Sequence, residues 1–104
     1  MRTPKFDIVG EIVDQPRLGC TSPQEFDLFV EALPEDVEQV ILRVNSLGGS
    51  VFAGMQIAHT VDDLVENGVE VIADVTAVAA SIASVIVCSC SRAYMRDGSF
   101  LMVH

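Results

Sequence analysis

The sequence predicts an α/β fold in which short β-α units repeat and build a largely parallel sheet. Apolar, β-branched runs of strand length alternate with segments in which apolar residues recur at helical spacing. Alternation of this kind implies right-handed crossovers, which make successive strands parallel. No long Gly-, Ser- or Pro-rich stretch divides the 104 residues. We therefore expect residues 1–104 to form a single domain.

The first β-α unit has a strand, a loop and an amphipathic helix. Residues 6–13 alternate in polarity and are rich in strand formers, with Gly10 as the expected bulge or point of close approach. After a loop over residues 14–21, the SPQE sequence at residues 22–25 has the form of a capping box with proline in the first helical position. One apolar stripe follows, and Pro34 ends the helix; the stripe consists of Phe26, Phe29, Val30 and Leu33.

The second unit contains two adjacent glycines. Residues 39–45 predict a buried strand, and the following NSLGGS segment at residues 45–50 predicts a loop. A helix is expected from about Val51 to Gly68, where glycine can cap its end. Its predicted buried face consists of Phe52, Met55, Ala58, Val61 and Val65, and its water-facing residues are Asp62, Asp63 and Glu66.

The third unit is the most apolar part of the chain. Residues 69–75 predict a strand, and residues 80–89 predict a buried helix that is apolar nearly all round. Residues 71–90 also have the length of a membrane span, but Asp74 and the β-branched start favour a buried strand and helix. Residues 93–95 and 100–103 predict short strands around a turn at 96–98, which leaves the direction of the last strand open.

Composition excludes several classes of function. Fifteen acidic residues against six basic ones give a net charge of −9, so we expect no nucleic-acid partner. The three cysteines show no CxxC spacing, which argues for a reducing compartment and against a disulfide framework or zinc site. The N-terminal residues lack an apolar signal segment, so we expect a cytoplasmic protein.

Candidate chemistry lies where strands two and three end. Loops after parallel strands open onto the same edge of the sheet, so Gly48 and Gly49 should lie near Ser81. A serine hydroxyl there can act as a nucleophile if a base takes its proton, while backbone N–H groups stabilise an oxyanion. Each feature alone has a simpler interpretation, a tight turn for the glycines and a helix N-cap for Ser81. The candidate bases are His104 and His59, and we interpret His59 as a structural residue of its helix.

Three segments resemble the successive motifs of the Clp protease proteolytic subunit (ClpP) family. They are residues 45–54 (NSLGGSVFAG), 79–84 (AASIAS) and 101–104 (LMVH). The SVFAG continuation and the doubled Ala-Ser resemble its bacteriophage branch, the head maturation or prophage peptidases. The resemblance extends from Ile8 to the last residue, and three motifs in order are more specific than one.

The resemblance implies a serine endopeptidase of the ClpP/crotonase-like fold. Ser81 matches the nucleophile and His104 the general base, while the backbone N–H groups of Gly49 and Ile82 match the oxyanion hole, with Gly48 beside it. It also implies peptide or unfolded protein substrates, homo-oligomeric rings that are commonly heptamers, and an ATP-dependent unfoldase. Neither a metal nor an organic cofactor is implied, and no membrane partner is expected.

Three departures from the family pattern lead to alternatives. Leu47 stands where the family usually has proline, and Ala77 where it often has glycine. The acidic triad member of the family lies beyond the histidine, so this chain is expected to be a truncated domain with little or no activity. Asp74 and Asp97 have no spacing that marks them as substitutes. The alternatives are a non-catalytic ClpP-like assembly subunit and, less favoured, a crotonase-fold acyl-CoA enzyme.

Overall fold

Strands and helices alternate along the chain in a computed structural model, which describes residues 2–103. Within that range the elements are β1 (Lys5–Ile12), α1 (Pro23–Glu31), β2 (Gln39–Gly49), α2 (Val51–Glu66), β3 (Glu70–Ala80), α3 (Ile82–Ser89), β4 (Arg92–Met95) and β5 (Phe100–Met102). The predicted capping box is present at α1: Ser22 Oγ accepts from the N–H of Glu25, and the Glu25 side chain accepts from the N–H of Ser22.

The described strands form one parallel sheet in the order β1-β2-β3-β4, and β5 also pairs with β3. The strand β4 pairs with residues 72–75 of β3, and β5 pairs with residues 78–80. Both short strands therefore lie one after the other along the same edge of β3. The predicted α/β class with a largely parallel sheet is confirmed, and the last strand runs in the direction of β3.

The core lies between the helices and one face of the sheet. Residues along β2 alternate between buried and more exposed positions, as expected when one face is covered. The covered face packs against α2 and α3, and the fully buried side chains include Ile8, Leu42, Val44, Ile57, Val61 and Ile86. Phe26 of α1 is also fully buried, and its ring contacts the rings of Phe6 and Phe29, which also contact each other.

Two details of the helices differ from the sequence prediction. In α2, Phe52 is 85% exposed and Val65 lies at the surface, while Ala53, Gly54, Ile57 and Leu64 are buried. The buried residues of α2 form one stripe at helical spacing that includes the predicted Ala58 and Val61 but is rotated away from Phe52 and Val65, because Gly54 lets α3 approach closely on that side. In α3, Val85 and Cys88 are exposed, although the other apolar residues are buried as predicted.

The segment that has the length of a membrane span is divided between β3 and the eight residues of α3. Among the described residues, no helix is long and apolar enough to cross a bilayer.

The uncovered face of the sheet carries a row of paired charges. Asp7, Arg43 and Asp74 are register partners on β1, β2 and β3. Arg43 donates to both carboxylate oxygens of Asp7, at 2.8 and 3.1 Å, and Arg96 does the same to Asp74, at 3.0 and 2.7 Å. The paired charges explain how this face of a parallel sheet tolerates water.

Acidification should weaken the pair between Asp74 and Arg96. The hydrogen bonds from Arg96 lower the pKa of Asp74 from its ordinary value of 3.8. A lowered pKa in the folded state stabilises the protein above that ordinary value, and the contribution is lost as pH falls through the folded pKa. We expect Asp74→Asn to be less stable than the wild type at pH 7 and the difference to narrow below about pH 4. Urea midpoints of both proteins from pH 7 to below about pH 4 measure the difference in stability. A difference that stays constant over this range would contradict the prediction.

Candidate active site

The ends of β2 and β3 bring the double glycine and Ser81 together. Ser46 of β2 and Ala79 of β3 are register partners, and the residues that follow them in the two strands remain close. A Cβ atom built on Gly48 would lie 2.8 Å from Cβ of Ser81, 3.0 Å from the carbonyl oxygen of Ala80 and 3.4 Å from the nitrogen of Ile82. Glycine is therefore needed at residue 48 for this approach.

The predicted loop at the double glycine is the end of strand β2. Gly49 is the register partner of Ile12, and Ser50 donates its N–H to the carbonyl of Ile12 at 2.8 Å. Both glycines have positive φ, 104° at Gly48 and 149° at Gly49, so the strand is irregular here. Pairing with β1 keeps this backbone extended, although adjacent glycines usually indicate a turn.

Ser81 lies between β3 and α3 in a conformation that serine rarely adopts. Its φ is 55° and its ψ is −129°, and it is the one non-glycine residue with positive φ in the described part of the chain. Its side chain makes no capping hydrogen bond to α3. Ser81 therefore occupies the N-cap position of α3, as the simpler interpretation predicted, but its side chain does not cap the helix and its backbone is not that of an ordinary N-cap. Strained backbone of this kind occurs disproportionately at functional sites, where the surrounding structure holds it in place.

Two backbone N–H groups lie near Ser81, those of Ile82 and Gly48, and they differ in whether the protein provides an acceptor. Ile82 is the first residue of α3, so its N–H has no acceptor within the helix. Gly48 donates its N–H to Oγ of Ser46 at 3.1 Å, and the same hydroxyl donates to the carbonyl of Gly10 at 2.7 Å. Ser46 is buried and fixes the Gly48 backbone against β1. Sequence reasoning missed this serine, since nothing in its spacing marks it.

The two candidate bases are His59 of α2 and His104. His59 is exposed on α2, in keeping with its interpretation as a structural residue. His104 lies outside the described residues. The strand before it, β5, runs alongside the end of β3, and the carbonyl of Met102 accepts the N–H of Ser81 at 3.0 Å.

Neither acidic candidate lies where it could orient a base beside Ser81. Asp74 precedes Ser81 by seven residues along an extended strand, which corresponds to roughly 23 Å. Its carboxylate is also bound by Arg96. Asp97 lies in the turn before β5, and β5 leads away from it towards Ser81.

A cavity of about 470 Å³ adjoins the glycine strand. Leu47 and Val78 give it an apolar lining, Gly48 connects it to Ser81, and Glu11 lies at its rim. The Glu11 carboxylate pairs with Arg17 at 2.7 Å. A larger cavity of about 580 Å³ lies at the opposite ends of the strands, and its lining contains no serine, cysteine or histidine. No group of three or more potential metal ligands is found within residues 2–103.

Comparison with known protein families decides the family. The Clp protease family model matches residues 27–104, which is most of the chain. The chain belongs to the Clp protease family. Membership in the Clp protease family assigns it to a group of peptidases that act on peptides and assemble into rings in general, which agrees with the predicted resemblance. No curated protein matches the sequence significantly.

Proposed function

We propose that this chain is a subunit of a Clp-type serine endopeptidase that hydrolyses peptide bonds through an acyl-enzyme. The observation that carries the proposal is the contact between Ser81, in its strained conformation, and the backbone of Gly48. A strained turn between a strand and a helix exposes a serine hydroxyl next to the free N–H groups of the helix start. Clp protease family membership supports the same reaction class.

In the proposed reaction, Oγ of Ser81 attacks the carbonyl carbon of the substrate while His104 takes the hydroxyl proton. The backbone N–H groups of Gly49 and Ile82 stabilise the resulting oxyanion. His104 then gives the proton to the leaving amine, and water attacks the acyl-enzyme with the same histidine as base. The regenerated Ser81 completes the cycle.

The assignment of Gly49 rests on the hydrogen bonds around it. Ser50 donates towards β1, and successive N–H groups of an extended chain point to opposite sides. This alternation would direct the N–H of Gly49 to the side of β3, where Ser81 follows, which supports its place in the oxyanion hole. The N–H of Gly48 already has an acceptor in Ser46, which supports a neighbouring role for Gly48.

The assignment of His104 rests on β5. The bond between Ser81 and Met102 joins the nucleophile to the last residue of that strand. Two further residues of chain span at most about 7 Å, which supports an imidazole within reach of the Ser81 hydroxyl. The substrate would lie extended along the glycine strand, with an apolar side chain in the cavity between Leu47 and Val78.

The wider features of the proposal follow the family. They are unfolded protein substrates, a homo-oligomeric ring, an ATP-dependent unfoldase, a cytoplasmic location and a place in the bacteriophage branch. Exposed apolar side chains on β4 and β5 support an assembled form, because a patch of this kind is unusual on a monomer. They are Tyr94, Met95, Phe100, Leu101 and Met102.

Fluorophosphonate labelling tests the nucleophile. We expect label on Ser81 that is lost in Ser81→Ala and kept in Ser89→Ala, with peptide mapping by mass spectrometry as the measurement. Labelling should be slow, since neither Asp74 nor Asp97 lies where it could orient a base beside Ser81, and loss of that orientation costs on the order of 10⁴-fold. Rapid labelling would contradict that expectation of low activity. Label that is spread over several serines and unaffected by Ser81→Ala would contradict the proposed function.

The second candidate is a non-catalytic ClpP-like assembly subunit, favoured because neither Asp74 nor Asp97 lies where it could orient a base beside Ser81. It predicts a defined oligomer in which Ser81 does not react. Labelling and sedimentation of the same preparation distinguish the two candidates.

A further inference from the structure

Ser84 makes two hydrogen bonds to a single atom of the candidate nucleophile residue. Its Oγ donates to the carbonyl oxygen of Ser81 at 2.5 Å, and its backbone N–H donates to the same oxygen at 3.0 Å. The Ser84 side chain is fully buried in the first turn of α3. A buried hydroxyl needs a partner, and this one has the carbonyl of the strained residue.

A helical serine often donates to a carbonyl in the preceding turn, and Ser89 does this to Val85 at 3.1 Å. The acceptor at Val85 belongs to a regular helix, so that bond fixes nothing unusual. The acceptor of Ser84 belongs to a residue with φ of 55° and ψ of −129°. An N-cap carbonyl in ordinary extended conformation also accepts the first N–H bond of its helix, so the two bonds from Ser84 fix the Ser81 carbonyl relative to α3, and the strained φ results when the N–H of Ser81 is fixed as well.

Other contacts of the Ser81 turn come from elsewhere in the fold. Ile82 packs against Gly54 of α2, and the N–H of Ser81 donates to Met102 of β5. The first contact fixes the start of α3 and the second fixes the nitrogen of Ser81. The bonds from Ser84 act on the carbonyl at the other end of the residue, so that both peptide groups of Ser81 are held.

We propose that Ser84 is a positioning residue, whose buried hydroxyl holds the carbonyl of Ser81 and keeps the nucleophile in its strained, reactive conformation. This inference rests on the proposed function for its chemical consequence. Its conformational consequence does not depend on that function. Ser84 does not touch the substrate, so its removal should slow the reaction of bound probe and leave binding unchanged.

The experiment compares Ser84→Ala and Ser84→Thr with Ser89→Ala, which removes the matched bond at the far end of α3. Fluorophosphonate labelling at several probe concentrations separates the saturating rate from the half-saturating concentration. Crystal structures of the wild type and Ser84→Ala give φ of Ser81. Ser84→Cys, which keeps the side-chain shape with a somewhat larger atom and a weaker donor, takes the place of Ser84→Ala if that variant does not fold.

We expect Ser84→Ala to lower the saturating rate on the order of ten- to a hundredfold. The half-saturating concentration should stay within about twofold, because the loss is in the reactive step. Ser81 should relax to a negative φ, Ser84→Thr should restore most of the rate, and Ser89→Ala should label as the wild type does.

The proposal would be overturned if Ser84→Ala labelled at the wild-type rate and φ of Ser81 stayed positive. The same holds for Ser84→Cys where it replaces Ser84→Ala. If the wild type itself does not label, the proposed function fails, and φ of Ser81 in the variant still decides the role of Ser84. An equal loss of labelling rate in Ser84→Ala and Ser89→Ala would show that Ser84 contributes only to the general stability of α3. That result would also overturn the proposal.

Discussion

Gly48→Ala is expected to lower the labelling rate of Ser81 by at least about a hundredfold, because displacement of a reacting group by 1 Å can cost that much. The new methyl group would lie 2.8 Å from Cβ of Ser81, a separation that real Cβ atoms do not adopt. Gly48 also has φ of 104°, which alanine adopts only with strain. Either Ser81 or the end of β2 must therefore move. The measurement is the fluorophosphonate labelling rate beside the urea midpoint.

Gly68→Ala is the matched control for Gly48→Ala. Gly68 also has positive φ, at 88°, but a Cβ built on it meets no atom within 4 Å. The Gly68→Ala variant should lose about 1–2 kcal/mol of folding stability from backbone strain alone, and its Ser81 should label at the wild-type rate. If both variants labelled equally slowly, general destabilisation would explain the effect and the contact between Gly48 and Ser81 would not.

Local sequence signals predicted the elements whose boundaries depend on nearby residues. The capping box at Ser22 and Glu25 fixes the start of α1 within four residues, and the structure has it as predicted. The end of β2 depends instead on a distant strand: Gly49 pairs with Ile12, and that pairing overrides the turn preference of two glycines. The course of β4 and β5 along β3 has the same origin, since strand pairing is a long-range choice.

The candidate site was predictable in outline and not in its supporting contacts. The rule that loops after parallel strands open onto one edge of the sheet was enough to predict that Gly48 lies near Ser81. The hydroxyl of Ser46 could not be singled out, because its acceptor Gly10 lies on a distant strand that only folding brings near it. The hydroxyl of Ser84 has a local acceptor, but the sequence does not show that this acceptor belongs to a residue with strained backbone. Serine is common in loops and helix starts, so its type alone carries little information.

Gly54→Ala is expected to destabilise the protein by roughly 1–3 kcal/mol, although alanine favours a helix over glycine by up to about 1 kcal/mol. Gly54 is buried within α2, where a new Cβ would lie 2.2 Å from Cγ1 and 2.9 Å from Cγ2 of Ile82. The overlap should exceed the gain in helix propensity and push the start of α3 away. Since Ile82 follows Ser81, the labelling rate should fall together with the stability.

A double-mutant cycle with Ile82→Ala tests the cause of this loss. Ile82→Ala alone removes both γ carbons and should cost about 2–5 kcal/mol as a buried large-to-small change. In that background a Cβ at residue 54 keeps only its 3.0 Å approach to Cβ of residue 82, so the double variant should be more stable than the sum of the single changes predicts, by at least about 1 kcal/mol. Urea unfolding of the four proteins gives the coupling energy. If the two changes were additive, or if Gly54→Ala stabilised both backgrounds equally, close packing of α2 on α3 would not require glycine. The position of Ser81 would then depend on β5 and Ser84 alone.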